Sequence, residues 1–292
     1  MEFQGTYTAM VTPFKRGDID YDAYLKLLDI QRSTGVSGVM PCGCTGEAAT
    51  VSGAERRKLL EIALERVGEG LQVVPGTGTN STSSTIALTK EAEAAGAHAA
   101  MLITPYYNKP SQAGLLDHYR RVGDATTIPL MLYNVPGRTG VTLAPETIAR
   151  LHESGRYVAL KEAGGSMDAF SNIRSAGDIA VLSGDDALTV PMIALGARGV
   201  VSVISNLVPD LVCEMVESAL AGDTEKAAAL HFGLLPVMKA AFIESNPSPI
   251  KAMLFLRGLI ENELRPPLAP VNDKSMDTIR NALQVLGTAR SV

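Results

Sequence analysis

The sequence predicts an α/β chain: a closed (β/α)8 TIM barrel over residues 1–222, followed by a C-terminal helical subdomain over 223–292 packed on that barrel. Three observations carry this expectation. Short apolar runs of strand length alternate with segments of helical period about eight times; the connections between them are short; and beyond Gly222 the strand-like runs stop. Strict alternation calls for parallel strands covered by helices, and about eight repeats suffice to close the sheet on itself. An open, doubly wound sheet is the competing arrangement of the same pattern.

The first strand falls at 6–11 and ends in Thr12-Pro13, after which Tyr24, Leu27, Leu28 and Gln31 recur at helical spacing until Gly35. Residues 36–40 make a second strand and 42–47 a turn of small residues; Ser52 and Glu55 then form a capping-box pair. A third strand at 72–76 leads through Gly76-Thr77-Gly78-Thr79-Asn80 into a helix reaching Ala95. Those glycines lack both the Gly-Lys of a phosphate loop and the full dinucleotide pattern, so they read as points of close backbone packing. Strand four, at 99–103, precedes the aromatic loop 104–110 and a helix over 111–125. Strand five, at 130–133, precedes the loop 134–140 and a helix opened by Pro145. Strands six, seven and eight fall at 157–163, 179–183 and 199–204, with helices over 187–195 and 209–221. Past them, Asp223 caps a helix carrying Ala227, Leu230, Leu234 and Val237. Another helix follows Pro247 and Pro249, and a third covers 275–286. These helices must bury their apolar faces against the barrel or another subunit.

A formal charge of −5 argues against a general nucleic-acid or anionic-membrane partner, and no uncharged apolar run approaches the roughly 18 residues of a membrane span. The opening Met1-Glu2-Phe3-Gln4 has neither a basic n-region nor an apolar h-region, so a cytoplasmic protein acting on small molecules is expected. Three cysteines, at 42, 44 and 213, give no disulfide framework. Cys42-Gly43-Cys44 has no second pair, and the histidines at 98, 118, 152 and 231 lack ligand spacing, so no metal is expected.

Lys161 is the anomaly of the pattern. It lies near the end of Tyr157-Val158-Ala159-Leu160-Lys161-Glu162-Ala163, a run otherwise suited to an interior parallel strand. Burial disfavours the ammonium, lowers its pKa and leaves an amine free to attack a carbonyl. The other reading is a strand-terminal lysine paired with a carboxylate or reaching solvent. In a barrel the chemistry sits at the carboxyl ends of the strands, where this chain places Cys44 and Thr45, Tyr106 and Tyr107, Tyr133 with Arg138, and Lys161. An amine nucleophile, hydroxyl and thiol proton carriers, the amides of Gly43 to Gly46 and a guanidinium are the groups that would converge on an oxo acid. Singly, each has a structural explanation: Tyr133 as a core aromatic, Arg138 as a surface cation, Tyr106-Tyr107 as an interface pair.

Five segments, taken together and in order, resemble the motifs of the dihydrodipicolinate synthase family: Gly43-Cys44-Thr45-Gly46-Glu47, Thr104 to Pro110, Tyr133 to Gly140, Lys161-Glu162-Ala163 and Ser183-Gly184-Asp185-Asp186. The resemblance runs from about Gly5 into the C-terminal helices. It implies that Lys161 forms a Schiff base with pyruvate, whose enamine attacks L-aspartate 4-semialdehyde on the way to lysine and diaminopimelate, without metal or organic cofactor. It makes Tyr133 the proton donor and acceptor, with Tyr107 lent by a neighbouring subunit of a homotetramer built as a dimer of dimers. Thr45 and adjacent amides would hold the pyruvate carboxylate, Val201 line its pocket, Arg138 bind the second carboxylate and Gly184 contribute its carbonyl.

Two departures stand out. Cys44 occupies the relay position that usually holds threonine or serine; a thiol is a weaker hydrogen-bonding group, so the relay is expected to be perturbed but present. At the interface site where lysine-inhibited members use histidine and glutamate, this chain has Arg56 and Ser84, while Asn80, Tyr106 and Ala49 remain as a possible remnant of that site. The nearest rival functions are sister pyruvate-dependent lyases acting on N-acetylneuraminate, 2-keto-3-deoxy sugar acids or hydroxy-oxoglutarate, against which Arg138 argues because a carboxylated acceptor needs a cation. A non-catalytic oxo-acid-binding barrel is a further alternative.

Overall fold

In the computed structural model, which describes residues 2–289, the first apolar run forms β1 (Gly5–Ala9) and is followed by a hairpin, β2 (Phe14–Lys15) and β3 (Asp18–Ile19). The remaining strands are β4 (Gly38–Met40), β5 (Gln72–Val73), β6 (Ala100–Ile103), β7 (Leu130–Asn134), β8 (Tyr157–Glu162), β9 (Ala180–Ser183) and β10 (Gly199–Ser202). Apart from the hairpin they pair in parallel in the order β5-β4-β1-β10-β9-β8-β7-β6. The two outer strands meet as well. Gly76 bridges Met101, and main-chain bonds run from His98 N to Val73 O (3.0 Å), Met101 N to Pro75 O (2.9 Å) and Thr77 N to Met101 O (2.9 Å). The sheet is therefore a closed barrel, not the open doubly wound alternative.

The strand spacing of two sorts the side chains. Met131 and Tyr133, Ala159, Ala180 and Leu182, and Val201 fill the barrel interior, while Leu130, Leu132, Leu160, Val181 and Val200 belong to the shell under the helices. Lys161, two residues past Ala159, inherits the inward direction. The glycines at 76 and 78 are close-packing positions as expected: a Cβ on Gly76 would overlap the Cys42 carbonyl, and one on Gly78 the Ile103 amide.

The outer layer comprises α1 (Tyr21–Arg32), α2 (Gly53–Val67), α3 (Thr82–Ala94), α4 (Gln112–Ala125), the single turn α5 (Pro136–Thr139), α6 (Pro145–His152), α7 (Met167–Ala176), α8 (Thr189–Ala194) and α9 (Pro209–Leu220). Ser52 and Glu55 form the expected capping box of α2. The predicted helix over 187–195 divides into a 3-10 turn, Asp186–Leu188, and α8. The hairpin went unforeseen in the sequence reading; it turns on Arg16 and Gly17, both at positive φ (57° and 86°), as a two-residue hairpin loop requires.

Three helices complete the chain: α10 (Thr224–Ala240), capped by Asp223, α11 (Ser248–Leu256) and α12 (Asp273–Ala289). Among the described residues no helix is long and apolar enough to cross a membrane. The helical tail reaches back into the barrel through an ion pair with no exposed side-chain surface. Lys251 Nζ on α11 lies 2.6 Å from Glu47 Oε1, donates to Thr12 O (3.0 Å) and sits 4.3 Å above the Phe14 ring. Arg265 continues the network. Its amide donates to Glu47 Oε2, and its guanidinium forks onto Glu55 at 2.6 and 2.9 Å. Burial pulls the Lys251 pKa down against the opposing field of Glu47. Removing one partner of such a pair leaves a buried charge unmet. Lys251→Met is therefore expected to lower the unfolding free energy by about 3–5 kcal/mol, and adding Glu47→Gln to restore part of it; urea denaturation of the two variants checks both.

Candidate active site

A cavity of about 360 Å³ opens where the carboxyl ends of β4 to β7 meet the segment leading into α11, and its walls include Cys44, Ala49, Tyr106, Tyr133, Arg138 and Asn246. Lys161 is not part of the wall but packs against one of its residues, Tyr133. The lysine pairs in register with Tyr133 on β7 and Leu182 on β9, is 5% exposed, and holds its Nζ 4.2 Å from the centroid of the Tyr133 ring. It does not reach solvent. Burial pulls its pKa from 10.5 down to about 8; Cys44 and Asp186 pull the other way, and Arg138 adds to the lowering. The carboxylate of Asp186 is committed elsewhere, accepting from Ser202 Oγ (2.5 Å) and from the amides of Val203 (3.0 Å) and Ile204 (3.3 Å).

Tyr133 hydrogen-bonds Cys44, and burial followed by the influence of Cys44 pushes its phenol well above the usual range, so that it stays protonated at neutral pH. Val201 shares the inner cluster with Tyr133 and Cys44. Gly184 is needed for room. A Cβ there would lie 2.7 Å from Ala163 Cβ and 3.1 Å from Lys161 Cε, and would press the lysine out of place.

The loop after β4 folds back on itself: the amides of Gly46 and Ala48 donate to Gly43 O, and that of Glu47 to Cys44 O. Cys42 and Glu47 take positive φ (58° and 52°) to make the bend. Thr45, 3% exposed, accepts a 2.9 Å bond at Oγ1 from Asn246 Nδ2, while Arg138, exposed on α5, donates from Nη2 to the main-chain oxygen of the same Asn246 (2.9 Å). Asn246 escaped the sequence reading. Its only signal was the Asn246-Pro247-Ser248-Pro249 string ahead of a helix.

Of the residues singled out in the sequence, Lys161, Tyr133, Cys44, Thr45, Val201, Arg138 and Gly184 all come together at this end of the barrel. Tyr107 does not. It is 89% exposed, on strained backbone (φ 72°), and contributes nothing to the cavity of its own chain. Ala49 and Tyr106 line the cavity; Asn80 is absent from its wall and instead accepts Asn108 Nδ2 at its carbonyl (2.9 Å). Arg56 also lines it, with its guanidinium donating to Ala48 O (2.6 Å) and Gly76 O (3.2 Å), while Ser84 is bonded into the cap of α3 through Ser81 Oγ. Among the described residues no group of three or more His, Cys, Asp or Glu is placed to hold a metal ion.

Fold and site together define a β/α barrel organised around a buried amine poised near neutrality, a group suited to forming an imine with a small carbonyl compound. The model of the dihydrodipicolinate synthetase family matches residues 2–286. The 4-hydroxy-tetrahydrodipicolinate synthase of Methanothrix thermoacetophila is 47% identical over 285 residues, covering 96% of each chain. Two solved structures superpose closely. One is the 4-hydroxy-tetrahydrodipicolinate synthase of Methylacidiphilum fumariolicum SolV, with a TM-score of 0.97 at 42% identity over 98% of this chain and 97% of that one. The other is the dihydrodipicolinate synthase of Thermotoga maritima, with a TM-score of 0.95 at 43% identity over 98% and 99%. The chain belongs to the dihydrodipicolinate synthetase family.

The amine is nucleophilic only when unprotonated, so its reactivity rises with pH and levels off above a pKa of about 8. Reductive methylation of Lys161 by formaldehyde and cyanoborohydride, followed by peptide mass mapping, is expected to show a midpoint near 8. Exposed lysines in the same digest supply the reference near the ordinary value of about 10.4.

Proposed function

We propose that the chain condenses pyruvate with L-aspartate 4-semialdehyde to 4-hydroxy-tetrahydrodipicolinate, a step of lysine and diaminopimelate biosynthesis, by covalent catalysis at Lys161. The observation that carries this reading is the lysine amine buried against the cavity-lining Tyr133 with its pKa pulled to about 8, in a chain matched to the family over nearly its full length.

The steps follow from atom balance. Neutral Lys161 adds to C2 of pyruvate, and loss of water leaves an imine; removal of a C3 proton gives an enamine, whose C3 bonds to the aldehyde carbon while the aldehyde oxygen takes up a proton. The product ring contains nitrogen, so the amino group of the semialdehyde must then attack the same C2 and expel Lys161 as the free amine. Tyr133, protonated and bonded to Cys44, is placed to pass protons at the carbinolamine and hydroxyl stages. Thr45, with the amides of Cys44 and Thr45 that the loop's internal bonds leave unused, holds the first carboxylate; Arg138 takes the second. Val201 packs beside the pyruvate methyl, and Gly184 offers its carbonyl. No cofactor enters this scheme.

The exposure and strained backbone of Tyr107 support its extending the relay in trans, supplied by the partner subunit's Tyr107 in a dimer that pairs again into a tetramer. We place the enzyme in the cytoplasm, and read residues 1–222 as the barrel that carries the site and 223–292 as the subdomain that anchors its rim.

Borohydride inactivation in the presence of pyruvate, with mass mapping, is expected to modify Lys161. A coupled assay offering aspartate semialdehyde beside N-acetylmannosamine and sugar-acid aldehydes is expected to favour the semialdehyde; preference for a sugar would move the chain to a sister lyase, and an unmodified Lys161 would end the Schiff-base reading. Cys44→Thr is expected to keep or raise kcat, because a hydroxyl is the stronger relay group; a large loss in steady-state turnover would give the thiol a role of its own. Lysine is expected to inhibit weakly or not at all, since Arg56 lines the cavity beside Ala49 and Ser84 offers no carboxylate to an ammonium. An inhibition constant below the millimolar range in a lysine titration of initial rates would contradict this.

A further inference from the structure

Asn246 joins the two groups assigned to the two substrate carboxylates. Its carboxamide Nδ2 donates to Thr45 Oγ1 at 2.9 Å, and its main-chain oxygen receives Arg138 Nη2 at 2.9 Å. The residue is 5% exposed, lines the cavity, and leads directly into Ser248–Leu256, the helix that carries the buried Lys251. Its remaining polar atom, Oδ1, is buried and has no partner among the described residues, so the side chain leaves one acceptor unmet at the cavity.

A threonine hydroxyl has one hydrogen and lone pairs that accept. If Oγ1 accepts from Asn246, that hydrogen remains free to donate into the cavity. If Oγ1 instead faced an acceptor at residue 246, the hydrogen would be turned away from any carboxylate there. We propose that Asn246 is a positioning residue that fixes the polarity of the Thr45 hydroxyl toward the first substrate's carboxylate and, through its main chain, the reach of Arg138 toward the second. The proposal rests on the reading of Lys161 as the pyruvate-binding amine. It takes the amide in the orientation that turns its NH2 toward Thr45.

Three consequences separate this role from a merely structural one. Asn246→Ala removes the donor but keeps the main-chain oxygen, so it acts on the first substrate and spares the second. The half-saturating pyruvate concentration for borohydride inactivation is expected to rise on the order of tenfold, with KM for aspartate semialdehyde unchanged. Asn246→Asp reverses the polarity, since its carboxylate accepts the Thr45 hydrogen and repels the incoming anion. Its shift is expected to exceed that of the alanine variant, on the order of a hundredfold. In a Thr45→Val background Asn246→Ala is expected to add no further shift, because the group through which it acts is gone.

Borohydride inactivation at graded pyruvate concentrations, run on wild type, the two Asn246 variants, Thr45→Val and the Thr45→Val/Asn246→Ala double variant, together with the steady-state KM for aspartate semialdehyde of wild type and Asn246→Ala, tests all three. If wild type is not inactivated, the reading of Lys161 fails. If wild type is inactivated and Asn246→Ala matches its half-saturation, or the two Asn246 variants are equally impaired, or the double variant is additive, the positioning role alone is overturned.

Discussion

An ammonium group inside the mouth of a closed barrel is the constraint to which the rest of the molecule answers. Moving the Lys161 pKa from 10.5 to about 8 corresponds to a penalty of about 3 kcal/mol. The sign follows from linkage. Below about pH 8 the lysine is charged in both folded and unfolded chains and the penalty is fully present; it fades as pH rises toward 10.5, where the folded chain has already released its proton. A chain of this size meets such a penalty from its core. What it cannot do is let the side chain escape to water, and the geometry forbids that: β7 and β9 flank Lys161 in register, the Tyr133 ring covers its amine, and Gly184 leaves only enough room for its Cε. The fields of Cys44 and Asp186 then oppose further lowering. Desolvation wins, but only far enough to bring the amine near neutrality.

The loop that faces this amine is held from outside the barrel. Residues 43–50 bend through positive φ at Glu47, and the side chain of Glu47 is where the helical tail takes hold, through Lys251 and the amide of Arg265. A fully buried ion pair is weak evidence of stability, because desolving both charges offsets most of their attraction. Its value here is geometric: Glu47 is held at one carboxylate oxygen by the Lys251 ammonium (2.6 Å) and at the other by the Arg265 amide (3.0 Å), and the two together allow the loop one position. Arg265 repeats the device on the same segment by donating to Thr50 O (2.9 Å) while its guanidinium forks onto Glu55. The tail thus fixes the part of the rim that carries Cys44 and Thr45.

The local physics made much of this legible in the sequence. Alternation of strand and helix signals located every barrel strand, since each is short, apolar and bounded by turn residues. Lys161 stood out because a charge in such a run has no cheap explanation. The ends of elements were less visible: the first strand stops at Ala9, not Val11, because its pairing with β4 ends at Ala9 opposite Met40. Long-range polar pairs were invisible. Glu47 and Lys251 lie 204 residues apart, and Thr45 and Asn246 201. Each member alone reads as an ordinary turn or helix residue; only the closed barrel, with its tail folded back across the mouth, brings them together. Tyr107 is the converse case, a residue with a strong sequence signal that the fold leaves exposed and away from the cavity.

At the carboxyl ends of the strands the period of two separates chemistry from its support. Tyr133, Lys161, Leu182 and Val201 point inward; their immediate successors Asn134, Glu162, Ser183 and Ser202 point outward and are all buried and polar. Those successors form a belt. Asn134 Nδ2 donates to Glu162 Oε2 (2.8 Å), the Gly164 amide to Glu162 Oε1 (2.6 Å), Ser183 Oγ to Asp185 O (2.7 Å), and Ser202 Oγ to Asp186 (2.5 Å). Buried groups of this kind are costly unless every partner is in place, so the two bonds that cross between strand segments, Asn134 to Glu162 and Ser202 to Asp186, restrict the relative height of neighbouring strands, while the other two hold the turns that follow β8 and β9. A shift of one residue in β8 would exchange Lys161 with Glu162, placing a carboxylate over the Tyr133 ring and an ammonium among helix-facing apolar side chains. Register and the buried amine are therefore specified together: the inward lysine is tolerable because the outward glutamate beside it is satisfied, and the glutamate is satisfied only in the register that turns the lysine inward.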